Sequence, residues 1–172
     1  MTAKTNHQPP STPLRMVDIS TKGTTNRRAR AAGYLRLSPE AAHRLRQGTV
    51  PKGDVLAAAQ VAAILAAKRT PEWIPLCHSV PLQGVEVIFE WPQDDRLRCV
   101  VIVQAQGQTG VEMEALTAVS AALLTVYDML KALDKNMVLE EIALLAKSGG
   151  RSGHYVRPGD DQHAQRQEDT TE

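Results

Sequence analysis

The chain has 172 residues and a mass of 18.8 kDa, and its twenty Lys and Arg against nineteen Asp and Glu leave a formal net charge of +1. That length suits one domain able to bury about two-thirds of its unfolded surface, and the charge balance excludes a global field for wrapping nucleic acid or an acidic membrane, so any anion site must be local. Two cysteines without CxxC spacing, Cys77 and Cys99, exclude a disulfide scaffold and a cysteine-rich zinc centre, while one Phe, two Trp and three Tyr are too few for a base-stacking platform.

The first fifteen residues, opening "MTAKTNHQPPSTP", have no apolar core of the secretory type and read as a disordered leader, so a reducing, cytoplasmic setting is expected. "MVDISTKGTTNRRARAAG" shows no periodic apolar face and reads as an arm outside the core. "YLRL" at 34–37 alternates as a strand does. Ser38, Pro39 and Glu40 then supply an N-cap and a first-turn proline for a short helix ending near Gly48. Asp54 caps an alanine-rich helix that stops around Thr70 and Pro71. Residues 85–91 and 98–106 form a predicted β-hairpin. Residues 111–133 form a long helix, and 137–147 a last strand whose "EEIALLAK" portion also fits a helix. Residues 154–172 read as a disordered tail. The order strand, helix, strand, strand, helix, strand gives an α+β class, the ferredoxin-like split βαβ arrangement, with an antiparallel sheet, two main helices on one face and an extra short helix. The two charge-free helical runs are thirteen residues each, shorter than the roughly 18 to 20 needed to span a bilayer, so no membrane anchor is expected.

On the long helix, one face gathers Leu116, Val119, Leu123, Val126, Met129, Leu130 and Leu133 and is core. The other carries no charge between Glu114 and Asp128, about 21 Å at 1.5 Å per residue, which predicts that it too is covered. The alanine-rich helix calls for close packing against another element or subunit. Asp128 and Lys131 stand at i and i+3. A solvated ion pair explains that spacing as well as an acid/base pair does; a covered pocket would allow the second, because burial and pairing retune both groups. Glu112 and Glu114 sit at the other end of this helix. Cys77 and His78 lie in a loop, and without further ligands nearby they indicate no metal centre. Lys52 precedes a helix N-terminus. Lys147 and Arg151 flank a glycine-rich loop that lacks the P-loop pattern, and Arg27 belongs to a basic arm. Together these cationic loops would suit a small, multiply phosphorylated ligand.

Five ordered stretches resemble the MoaC family: "MVDIS.K..T.R.A.A.G" at 16–33, "KGDVL" at 52–56, "AAKRT...IPLCH" at 66–78, "TGVEMEALTAVSAALLTVYDMLKALDK" at 109–135 and "LLAKSGGRSG" at 144–153. The resemblance spans residues 16–153 and implies a single catalytic domain. It also implies a homohexamer, a trimer of dimers with active sites at subunit interfaces, and a lyase of molybdenum cofactor biosynthesis. That enzyme converts 3′,8-cyclo-7,8-dihydro-GTP, made by a partner radical-SAM GTP cyclase, into cyclic pyranopterin monophosphate and pyrophosphate. No redox cofactor is implied; a divalent cation such as magnesium can accompany the triphosphate. By the same resemblance Asp128, Lys131 and Lys52 are catalytic. Leu76, Cys77, His78, Met113 and Glu114 bind substrate with Glu112 beside them, and Lys147 and Arg27 lie near the phosphates or purine. Ser79 and Gln108 depart from the family pattern, which has proline and a basic residue there. A nucleotide-binding regulator without turnover is the competing expectation, and it has no need for Asp128 and Lys131 together.

Overall fold

The computed structural model describes residues 13–159. Their elements run β1 (Thr25–Arg36), α1 (Pro39–Arg46), α2 (Val55–Lys68), α3 (Thr70–Trp73), β2 (Leu82–Gln93), β3 (Arg96–Gly107), α4 (Glu112–Leu130), β4 (Val138–Ser148) and β5 (Tyr155–Val156). The sheet order is β2-β3-β1-β4-β5, antiparallel throughout. The first four strands in that order, with α2 and α4 as the connections, are the expected split βαβ arrangement.

One expectation fails at β1. The segment read as an arm supplies most of the central strand, with Arg27, Arg28 and Arg30 in it, hydrogen-bonded to β3 on one side and β4 on the other. Ala29, Ala31, Gly33 and Leu35 alternate inward. Alanine and glycine carry so little apolar signal that the period of two is hard to see in composition. Their smallness has a reason: a β-carbon on Gly33 would meet Leu123 and Val119 of α4 at 3.0 Å, so the helix lies directly on the strand.

The hairpin strands are longer than expected, α3 is an unpredicted turn of helix, and residues 138–148 are strand as read, not helix. Tyr155 and Val156 add a short strand to β4, so the expected disordered tail begins with ordered backbone; residues 160–172 and 1–12 lie outside the described residues. Ser38 and Asp54 cap α1 and α2 through side-chain oxygens that accept from Ala41 N and Ala57 N.

The main core lies between sheet and helices. Val119, Leu123, Val126 and Leu130 of α4 meet Leu35, Leu97 and Val101 there, all fully buried. Helix α2 packs Ala59, Ala63 and Ala67 into the same core and covers the first part of the second face of α4, where Thr117, Ala118 and Ala121 are buried as predicted, while Asp128 farther along that face is exposed. Length and composition alone would let α4 span a bilayer, but its packing on three strands and α2 makes it the core helix of this domain. The opposite sheet face buries Ala32, Val100 and Leu145 under long charged side chains. There Arg96 lies 3.9 Å over the Tyr34 ring and pairs with Glu140 and Glu141 at 3.2 and 2.9 Å.

Candidate active site

The residues singled out above gather at the two ends of α4. At its C-terminal end Asp128 lies in the last turn, where an anion faces the negative end of the helix dipole. Two lysines offset that. Lys131 Nζ stands 2.7 Å from Asp128 Oδ1, and Lys52 Nζ 2.9 Å from Oδ2. Lys52, brought in by the α1–α2 loop, also donates to the Asp128 carbonyl at 2.9 Å, one of the last-turn acceptors that the helix leaves open. The hydrogen bond from Lys131, then that from Lys52, holds the Asp128 carboxyl down at about 2, and Asp128 in return raises Lys131. Asp128 and Lys131 are therefore both charged near neutrality. They are also exposed in the single chain, so the pocket that an acid/base role calls for is not formed by this chain alone.

At the N-terminal end lies a cavity of about 530 Å³. Arg27 from β1, Lys147 from β4, Lys22 from the segment before β1 and Arg151 from the glycine-rich loop line it, with Glu112 from the first turn of α4. Ala29 pairs with Lys147 across the sheet, so Arg27 and Lys147 leave the same sheet face, the one bearing α4, just beyond that helix's N-terminus. Arg27 Nε donates to the Gly107 carbonyl at 3.1 Å. Gln108 lies in the same wall.

Behind this wall Glu114 is 2% exposed. Its Oε1 lies 3.8 Å from Cys77 Sγ, and its Oε2 has no hydrogen-bond partner among the described residues. Burial pushes its carboxyl above the usual range, and burial followed by the nearby Glu114 charge pushes the Cys77 thiol up. Burial thus disfavours the charged form of both groups. Cys77 and His78 are half-buried in the α3–β2 loop, Leu76 beside them is exposed, and Met113 is half-buried between Glu112 and Glu114.

The structure thus joins Lys52 to Asp128 and Lys131, and sets Arg27 and Lys147 apart with Glu112. Asp128 stands sixteen residue steps along α4 from Glu112, about 24 Å at 1.5 Å per residue. Lys22 and Arg151 complete the cationic wall. In the sequence Arg151 stands out as part of the glycine-rich loop, and Lys22 only as the lysine of the family-like stretch at 16–33.

Comparison with known proteins follows the same outline. The MoaC family model matches residues 16–150. A cyclic pyranopterin monophosphate synthase of Chloroflexus aurantiacus is 54% identical over 145 residues, 84% of this chain and 89% of the relative. The synthase of Desulfitobacterium hafniense is 51% identical over 143 residues, 83% and 88% of the two chains, and that of Brevibacillus brevis 48% over 157, 91% and 98%. A match of this length and identity, with the motif residues falling on two organised charged clusters, means that the chain belongs to the MoaC family.

Proposed function

We propose that the chain is a cyclic pyranopterin monophosphate synthase, a lyase of molybdenum cofactor biosynthesis that rearranges 3′,8-cyclo-7,8-dihydro-GTP and releases pyrophosphate. The observation that carries this reading is the polarity of the two clusters: a cationic cavity fit for a triphosphate, and an aspartate set between two lysines fit for moving protons. Arg27 and Lys147 would neutralise the phosphates, where negative charge builds as pyrophosphate leaves. Lys131, held protonated by Asp128, would serve as the proton donor during ring opening and closure, with Lys52 fixing Asp128 in place. Glu114, Cys77, His78, Leu76 and Met113 would hold the purine. A divalent cation such as magnesium arriving on the triphosphate would meet Glu112, and the chemistry needs no redox cofactor.

A span of about 24 Å is too long for one triphosphate-bearing nucleotide to bridge usefully within one chain, so the site is read as composite, the lysine–aspartate cluster of one subunit facing the cavity of another. Val61, Leu65, Trp73 and Leu124 leave an exposed apolar face beside Asp128, which supports a subunit contact there. Such a contact would also desolvate the cluster, as acid/base work requires. We extend the reading to a homohexamer built as a trimer of dimers, working in the cytoplasm on the product of a radical-SAM GTP cyclase and needing neither nucleic acid nor membrane.

Incubating the protein with enzymatically prepared 3′,8-cyclo-7,8-dihydro-GTP, and following pyrophosphate and cyclic pyranopterin monophosphate by mass spectrometry, tests this. Both products from the wild type and neither from Lys131→Ala are expected. Tight binding without turnover by the wild type would instead make the chain a nucleotide-binding regulator.

A further inference from the structure

Of the three positive-φ glycines in the loop after β4, Gly150 and Gly153 have nearly the same left-handed backbone, φ +72° and +62°, yet very different surroundings. Nothing lies within 4 Å of where a β-carbon on Gly153 would stand, so that position requires only the backbone angle. At Gly150 a β-carbon would overlap Arg27 Nη1, with Cζ at 2.6 Å and Nη2 at 2.9 Å. One residue earlier, a β-carbon on Gly149 would overlap the Asn26 carbonyl oxygen, so the loop lies against β1 at two successive positions. From the other side, Arg27 Nε is tied to the Gly107 carbonyl.

From this geometry we infer that Gly150 is a positioning residue: by having no side chain it seats the Arg27 guanidinium in the cavity wall and so sets the affinity of the cavity for a polyphosphate. The inference rests on the proposed function only in taking that polyphosphate to be the substrate's triphosphate. A side chain at position 150 meets the guanidinium, the far end of a flexible side chain, so the overlap is relieved by moving that head and not the loop backbone. Relief therefore has to swing the head away and stretch the bond to Gly107, which turns the paired Nη donors out of the orientation that suits phosphate oxygens. Arg151 and Lys147 line the cavity too, but neither is held between a carbonyl and a bare backbone in this way.

The test is a double-mutant cycle read by calorimetric binding of inorganic tripolyphosphate to the full chain. Gly150→Ala should weaken binding about ten-fold, the order of one charge-assisted hydrogen bond, and should add nothing further in an Arg27→Ala background. Gly153→Ala imposes the same backbone strain without the overlap; it should lower Tm comparably and leave affinity within about two-fold. Gly150→Asn carries the same β-carbon on a residue that tolerates a left-handed backbone, and gives the same cycle should Gly150→Ala fold poorly. An equal loss with and without Arg27, a matching loss of affinity in Gly153→Ala, or failure of the wild type to bind tripolyphosphate overturns the inference. Intact coupling in a protein that makes no cyclic pyranopterin monophosphate would instead overturn the proposed function and leave the seat standing.

Discussion

At the N-terminal end of α4 a carboxyl, Glu114, is shut away from water with one oxygen unpartnered among the described residues; at the C-terminal end another, Asp128, is open to solvent and gripped by two ammonium groups. Desolvation governs the first and raises its pKa; hydrogen bonding and charge govern the second and lower it to about 2. The two ends teach that a side chain's type says little about its role until its surroundings are known. A carboxyl whose charged form is disfavoured can share a proton with a ligand, whereas one held ionised suits keeping a lysine protonated.

The sharpest break of this comparison comes from the exposed end. Lys131→Ala should cut turnover by about 100- to 10,000-fold, the range of a lost general acid, with the oligomer still assembled because the apolar face beside the cluster is left intact. Next comes the relation between the ends. If they face each other across subunits, mixing and reassembling inactive Asp128→Ala and Arg27→Ala chains should restore roughly a quarter of wild-type activity, since random pairing leaves about one site in four with both halves intact. Sites complete within one chain would give no recovery.

The buried end is sharpened by stability. A carboxyl whose folded pKa lies above its unfolded value supports the fold at low pH and loses that support as pH rises through the folded value. Glu114→Gln, which does not titrate, should therefore gain Tm relative to wild type from pH 4 to pH 8 while losing activity; a difference independent of pH would contradict the upward shift of the carboxyl. The smallest effect is at Asp128 itself. Its side-chain carbon resonance should titrate near pH 2 in the wild type and move up toward 3.8 in Lys131→Ala, with a lesser rise in Lys52→Ala, following the order of the two contributions.

Much of this was legible in the sequence because the signals were local. Caps at Ser38 and Asp54, the apolar face of α4 and the hairpin strands each follow from spacing within one element. The central strand was not. Ala29, Ala31 and Gly33 carry no apolar signal, and their role is set by Val119 and Leu123 lying across them from far along the chain. The spacing of Asp128 and Lys131 gave the pair, and the family resemblance named Lys52; only the fold shows that Lys52 joins that pair and not the phosphate-facing cations. Tyr155 and Val156 were misread for a similar reason, since two residues become a strand only because β4 offers an edge.

The place of β1 in the middle of the sheet also sets an order of events during synthesis. Its partners are β3 and β4, and Arg27 and Lys147 come within reach of one ligand only when the far end of β4 has pairedalongside β1. The β2–β3 hairpin can form as soon as it leaves the ribosome, whereas β1, made first, must wait for both neighbours. The cationic cavity is thus among the last features to assemble, and a nascent or truncated chain lacking β4 carries the lysine–aspartate cluster's residues without any place to hold a triphosphate.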